Sequence, residues 1–144
     1  QVRYHNRRPV EGSAYGYESN LVELATWSDF LVLTCPGGES TRNLINRGVL
    51  EALGPKGILI NVARGSVVDE PALIEALTEG RLGGAGLDVY AQEPNVPQAL
   101  IDLPNVVLLP HIGSATEETR LAMEESLLAN LREFFERGEV LTAV

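Results

Sequence analysis

Four largely apolar, strand-like stretches, separated by stretches of helical spacing, limit what this chain can fold into more than anything else in it. Phe30-Leu31-Val32-Leu33-Thr34-Cys35 stops at Pro36-Gly37-Gly38, and Gly57-Ile58-Leu59-Ile60-Asn61-Val62-Ala63 stops at Arg64-Gly65. Gly84 to Tyr90 runs into a loop with Pro94 and Pro97, and Val106-Val107-Leu108-Leu109 ends at Pro110-His111. Runs without polar alternation predict strands covered on both faces, as parallel strands are. Val2 to Asn6 adds a shorter β-prone stretch that Pro9 prevents from continuing as a central strand, making five strands in all. Between them, Ser19 is placed to cap a short helix through Ala25, Thr41 to Ile45 forms a turn or short helix, and Arg47 to Leu53 is closed by Gly54-Pro55. Asp69 caps a helix that runs through Thr78 and stops at Gly80, and a long helix runs from about Thr116 to Arg137 with Leu121, Leu128, Leu131 and Phe135 on one stripe. Strands alternating with helices connect by right-handed crossovers, which predicts a doubly wound, mostly parallel α/β sheet with helices on both faces.

In such a sheet ligands collect beyond the carboxyl ends of the strands. Arg64 ends one run, Asp88 lies near the end of the next with Glu93 in the loop after it, and His111 ends the last. With strands adjacent in sequence order, the four groups gather along one edge. A histidine there can give or take a proton near neutral pH, although a satisfied structural histidine would occupy the same kind of loop. Arginine suits a carboxylate through two parallel charge-assisted hydrogen bonds; a solvated surface arginine is the plainer reading. A glutamate bonded to the second ring nitrogen of His111 would fix its tautomer and favour the charged ring, where otherwise Glu93 is a loop charge ahead of a proline.

Composition narrows the function classes. A net charge of −9 with scattered Lys and Arg, apart from Arg7-Arg8, argues against nucleic-acid binding, which needs clustered cations. The single cysteine, Cys35, forbids an internal disulfide and fits a reducing compartment, so the expected location is the cytoplasm. No apolar run reaches the length of a membrane span and no signal-peptide pattern opens the chain. No metal ligands are assigned. The chain opens at Gln1 inside a β-prone stretch, which suggests a fragment. It also lacks the G-x-G-x-x-G turn that normally follows the first strand of a dinucleotide-binding unit; Gly83-Gly84-Ala85-Gly86 begins a strand and does not replace it.

Asn61-Val62-Ala63-Arg64-Gly65, Gly86-Leu87-Asp88-Val89-Tyr90 with Gln92-Glu93-Pro94, and Pro110-His111-Ile112-Gly113 resemble, in order and spacing, the signatures of the D-isomer-specific 2-hydroxyacid dehydrogenases. Within that family the chain looks most like the glyoxylate/hydroxypyruvate reductase branch. The likeness also takes in Thr41-Arg42-Asn43-Leu44-Ile45 and Asp69-Glu70. It implies a Rossmann-like sheet lacking its first strand and glycine-rich turn. Residues 1–115 would form part of an NAD(P)-binding domain, and residues 116–144 a helix and tail returning toward a substrate domain. The first strand, by the same likeness, would lie between Val2 to Asn6 and Ile58 to Val62.

By that resemblance Arg64 anchors the carboxylate of a 2-oxo acid, His111 is the general acid and Glu93 holds it. Asp88 bonds the nicotinamide carboxamide, while Cys35, Pro36, Thr41, Val62, Ala63, Arg64, His111 and Gly113 line the cofactor. Glycines in Pro36-Gly37-Gly38-Glu39-Ser40, where relatives commonly carry a bulkier residue, would leave that loop more mobile. No acidic residue stands after the strand ending at Asn6, where one would bond the ribose 2′-hydroxyl of NAD. Asn6, Arg7 and Arg8 could instead pair a 2′-phosphate, so NADPH is expected to be preferred, with NAD still usable; a basic loop that only solvates a strand end is the other reading. The implied partner is a small 2-oxo or 2-hydroxy acid, and the full-length enzyme is expected to be a homodimer. These residues alone are expected to be inactive. Two alternatives remain: a non-catalytic fragment or interaction module whose exposed strand edges pair with another copy, and a corepressor built on the same scaffold.

Overall fold

The computed structural model describes residues 1–143, which divide into two compact units, one ending at His111 and the other starting at Ile112. In the first unit, β1 (Arg3–Tyr4) pairs in parallel with β2 (Gly16–Tyr17), and β3 (Phe30–Leu33), β4 (Ile58–Asn61), β5 (Gly84–Leu87) and β6 (Val106–Leu108) form a parallel sheet in the order β3-β4-β5-β6. Its helices are α1 (Leu21–Trp27), α2 (Arg47–Leu53), α3 (Glu70–Thr78) and α4 (Gln98–Ile101), with short 3-10 turns at Glu39–Thr41 and Gly65–Val67. The second unit carries α5 (Glu117–Arg137). The parallel α/β sheet is thus the expected Rossmann type. No helix of the described residues is long and apolar enough to cross a membrane.

Local chemistry accounts for most boundaries. Asp69 accepts from the Ala72 amide to start α3, with Pro71 in its first turn, where a missing N–H does no harm. Asn46 caps α2 through the Val49 amide, and Gly54, at a φ of 76°, ends it. α1 departs from expectation: Asn20, not Ser19, accepts from the Val22 amide, and the helix runs on to Trp27. α5 starts at Thr116, whose hydroxyl accepts from the Thr119 amide, and stops at Gly138, at a φ of 75°. Across α2 and α3, Arg47 bonds Glu75, while Arg81 reaches Glu75 at 2.8 Å and Glu51 at 3.1 Å. These pairs are solvent-exposed and add little.

The core lies on one face of the sheet. Leu31 and Leu33 of β3, Leu59 of β4, and Ala85 and Leu87 of β5 pack with Leu24, Ala25, Leu50, Leu73 and Leu77 of the helices. The opposite face is not buried as expected: Phe30 is 62% exposed, Val32 54% and Val107 65%. β3 therefore alternates between covered and open, although its sequence reads as a strand buried on both sides. The apolar outer row, in register as Val32, Ile60, Gly86 and Val107, is composed for a cover that none of the first unit's helices provides.

Two further corrections concern connectivity. A sixth strand, β2, arises within the loop that holds Gly12 and Gly16, and α4 forms in the stretch expected to be irregular. β4 is flanked by β3 and β5, so a missing first strand cannot lie beside Ile58–Asn61; the strands of this sheet with an unpaired edge are β3 and β6, and β3 is the one that precedes β4. The register explains the difference, because all four residues of β4 are paired on both sides.

Candidate functional site

At the carboxyl ends of β3, β4 and β5 a cleft of about 890 Å³ opens, lined by Cys35, Pro36, Val62, Ala63, Arg64, Tyr90, Glu93 and His111 among others. The segments after β3, β4, β5 and β6 build it, and those after β4 and β5 are each fixed by a residue that does no chemistry itself. After β4, Asn61 is only 1% exposed: its Oδ1 accepts from the Ala63 amide at 3.0 Å and its Nδ2 donates to the Arg64 carbonyl at 3.1 Å. This clamp folds Asn61 to Arg64 into the turn that brings Arg64 to the cleft wall. The Arg64 guanidinium bonds the Ala63 carbonyl at 2.6 Å. Asn61→Ala would strip the Ala63 amide of its partner and leave the Arg64 carbonyl with only the Val67 amide at 3.1 Å, and it is expected to destabilise the protein by about 2 to 4 kcal/mol. An unchanged denaturation midpoint would contradict the clamp.

After β5, Tyr90 is buried and donates its hydroxyl to the Leu109 carbonyl at 2.8 Å, with the Leu87 carbonyl at 3.2 Å. Burial pushes its ionisation above the usual phenol range, so the hydroxyl stays a donor. It ties the loop after β5 to the end of β6, two residues before His111. The Ala91 amide donates to Glu70 at 3.1 Å, and the Glu93–Pro94 peptide bond is cis. Where the chain leaves β6, His111 has a φ of 54°, the left-handed region that non-glycine residues seldom enter and that histidine tolerates better than most.

That backbone twist brings Nδ1 of His111 to 2.7 Å from Oε2 of Glu93, whose Oε1 accepts from the Tyr90 amide at 3.1 Å. The His111 bond, the Tyr90 amide and the charge of Arg64 together hold the Glu93 carboxyl below its usual range, against the opposing effect of burial. An ionised carboxylate has no proton to give, so Nδ1 carries the hydrogen and Nε2 is left for another partner. The pairing persists above the ordinary carboxylate range and is lost only as acid protonates Glu93.

The remaining expected site residues divide. Cys35, Pro36, Val62 and Ala63 line the cleft with Arg64, Glu93 and His111. Val62 is an exposed apolar side chain on this wall, a fit for the flat face of an aromatic ring. Asp88 directly follows β5 but is 4% exposed and is not on the lining. Thr41 donates its hydroxyl to the Pro36 carbonyl at 2.8 Å and lies within 3.2 Å of the Gly38 carbonyl, closing the glycine loop expected to be mobile. Gly113 belongs to the second unit. Asn6, Arg7 and Arg8 form an exposed tip after β1, with Asn6 Oδ1 accepting from the Arg7 amide at 2.8 Å. Among the described residues no group of three or more His, Cys, Asp or Glu side chains could hold a metal ion. Sequence reasoning assigned no role to Asn61 or Tyr90; a polar group closing an apolar strand, which must find a bond when buried, is the signal that marks both.

Hydroxyphenylpyruvate reductase of Plectranthus scutellarioides is 52% identical over 143 residues, 99% of this chain and 46% of that protein. Glyoxylate/hydroxypyruvate reductase A of Arabidopsis thaliana is also 52% identical over 143 residues, again 46% of its length. The crystal structure of an NADPH-dependent glyoxylate/hydroxypyruvate reductase of Sinorhizobium meliloti, in complex with NADP and malonate, superposes with a TM-score of 0.95 at 52% identity, covering 99% of this chain and 44% of that one. The chain thus spans about half the length of the relatives it matches. The family model for the D-isomer specific 2-hydroxyacid dehydrogenase NAD binding domain matches residues 1–113. With that match over most of its length, the chain belongs to the D-isomer specific 2-hydroxyacid dehydrogenase family.

Proposed function

We propose that the full-length protein reduces a small 2-oxo acid of the glyoxylate or hydroxypyruvate type to its D-2-hydroxy acid, using NADPH in preference to NADH. The observation that carries this reading is the 2.7 Å bond between His111 and Glu93 on the wall of the cleft that Arg64 also lines. Arg64 would swing its guanidinium from the Ala63 carbonyl onto the substrate carboxylate and draw electron density from the adjacent carbonyl. His111, held at Nδ1 by Glu93, would give its Nε2 proton to the carbonyl oxygen as that oxygen gains charge. A nicotinamide dinucleotide supplies the hydride when bound. The lining fits its nicotinamide end through Cys35, Pro36, Val62 and Ala63, while Arg7 and Arg8, on the separate exposed tip after β1, would take its 2′-phosphate, with Asn6 shaping their loop. Asp88, Thr41 and Gly113 complete the proposed cofactor set.

The cleft lies at the ends of neighbouring parallel strands, where this fold binds ligands. The reductase names of its relatives support the substrate class. Residues 1–144 alone are proposed to be inactive, since they contain no glycine-rich turn to hold a pyrophosphate. We further propose a cytoplasmic homodimer, in keeping with the lone cysteine. Steady-state kinetics of the full-length protein on glyoxylate and hydroxypyruvate test the assignment. A kcat/KM at least about tenfold higher with NADPH than with NADH is expected, a margin one charge-assisted phosphate contact can supply. Equal values, or a preference for NADH, would refute the cofactor choice, and no turnover of any small 2-oxo acid would refute the activity.

A further inference from the structure

The tip that carries Arg7 and Arg8 is bracketed by two tyrosine hydroxyls. Tyr4 and Tyr17 are paired across β1 and β2, with ring centroids 5.5 Å apart. The Tyr17 hydroxyl donates to the carbonyl of Asn6 at 3.0 Å, immediately before Arg7. The Tyr4 oxygen accepts from the Val10 amide at 2.7 Å, immediately after Pro9. Between these anchors stand only Arg7, Arg8 and Pro9, and proline fixes its own φ. Both arginine side chains are exposed, and among the described residues neither makes an ion pair. His5 strengthens the base of the tip through a 3.0 Å contact with the Glu18 carbonyl, beside the Glu18 amide bond to Tyr4.

We propose that Tyr17 and Tyr4 are positioning residues for cofactor selectivity, holding the Arg7-Arg8 tip in the conformation that receives a 2′-phosphate. The proposal rests on the NADPH reading above and names what makes it selective. A flexible loop must lose its freedom when two guanidinium groups close on one phosphate, and that loss weakens binding. Two hydroxyls on the flanking main chain remove most of this loss beforehand. A ligand without the phosphate makes no demand on the tip and gains nothing from its rigidity.

The test is direct binding to the full-length protein. Titration calorimetry with 2′,5′-ADP and 5′-AMP, and fluorescence titration with NADP⁺ and NAD⁺, would be run on wild type, Tyr17→Phe and Tyr4→Phe. Phenylalanine keeps the tilted ring pair and removes only the hydroxyl. Each variant is expected to bind NADP⁺ and 2′,5′-ADP about three- to tenfold more weakly, the value of one exposed hydrogen bond, while NAD⁺ and 5′-AMP stay within about twofold. If both ligand pairs weaken equally, or if neither variant changes, the tyrosines do not set selectivity and the inference is overturned. If wild type itself does not discriminate 2′,5′-ADP from 5′-AMP, the NADPH reading fails instead, and the inference falls with it.

Discussion

In the full-length protein, His111→Gln is expected to lower kcat/KM for 2-oxo acid reduction by between about a hundred- and ten-thousandfold, the range a lost general acid accounts for. Glutamine can place an amide near Glu93 and fill much of the same space, so the cleft survives. It has no ionisable proton, so the developing alkoxide must be protonated by water. The loss should fall on kcat, with cofactor binding little changed. Arg64→Ala should cost a comparable factor in kcat/KM, but with KM rising as well, because the guanidinium is proposed both to bind the carboxylate and to orient the carbonyl. Near-normal turnover by either variant would reject the roles assigned to these two residues.

The pair of variants also separates chemistry from scaffolding. His111 depends on Glu93 for its tautomer, and Glu93 depends on the loop that Tyr90 and Glu70 hold. Arg64 depends on a separate clamp at Asn61. The groups proposed to react therefore belong to loops that are each locked locally, then brought together at one rim by the parallel order of β4, β5 and β6. A site built this way tolerates change at its exposed edge better than at its buried ties.

How far the sequence alone reveals this depends on whether the signal is local. α2 was legible from Arg47 to Leu53 because its terminating glycine stands directly after it, and Asp69 marked the start of α3 by the same kind of local signal. The parallel sheet could be read from unbroken apolar runs, and Arg64, Glu93 and His111 from their places after those runs. β2 could not, since Gly16-Tyr17 is a strand only through its partner at Arg3-Tyr4. The four residues of α4 are too few to show a helical period. Double-sided burial of β3 was overread, because an apolar run records what a strand is composed to meet and not what these residues supply. Asn20 displaced Ser19 as a cap by a single position, within the ordinary uncertainty of a helix boundary.

Gly65→Ala is expected to do more damage than its one added methyl suggests. A Cβ at that position would lie 1.9 Å from the Tyr90 carbonyl oxygen and 2.0 Å from its carbon, so main chain would have to move. Neither side can yield easily. Gly65 opens the turn that follows Arg64, whose carbonyl is tied to Asn61. Tyr90 is held by its buried hydroxyl at Leu109 and its amide at Glu93. Separating these two segments pulls Arg64 away from Glu93 and loosens the support of His111, so stability and activity should fall together. A loss of about 3 kcal/mol or more is expected by denaturant unfolding, at the upper end of what overpacking causes. Gly48→Ala provides the contrast, because its Cβ would meet only Asn46 Oδ1 at 3.4 Å within α2. It should change stability by less than about 1 kcal/mol, and in the stabilising direction. Were Gly65→Ala to match the parent in both midpoint and turnover, the close approach of the Arg64 turn to the Tyr90 peptide would be wrong, and with it the account of how the two halves of the site are joined.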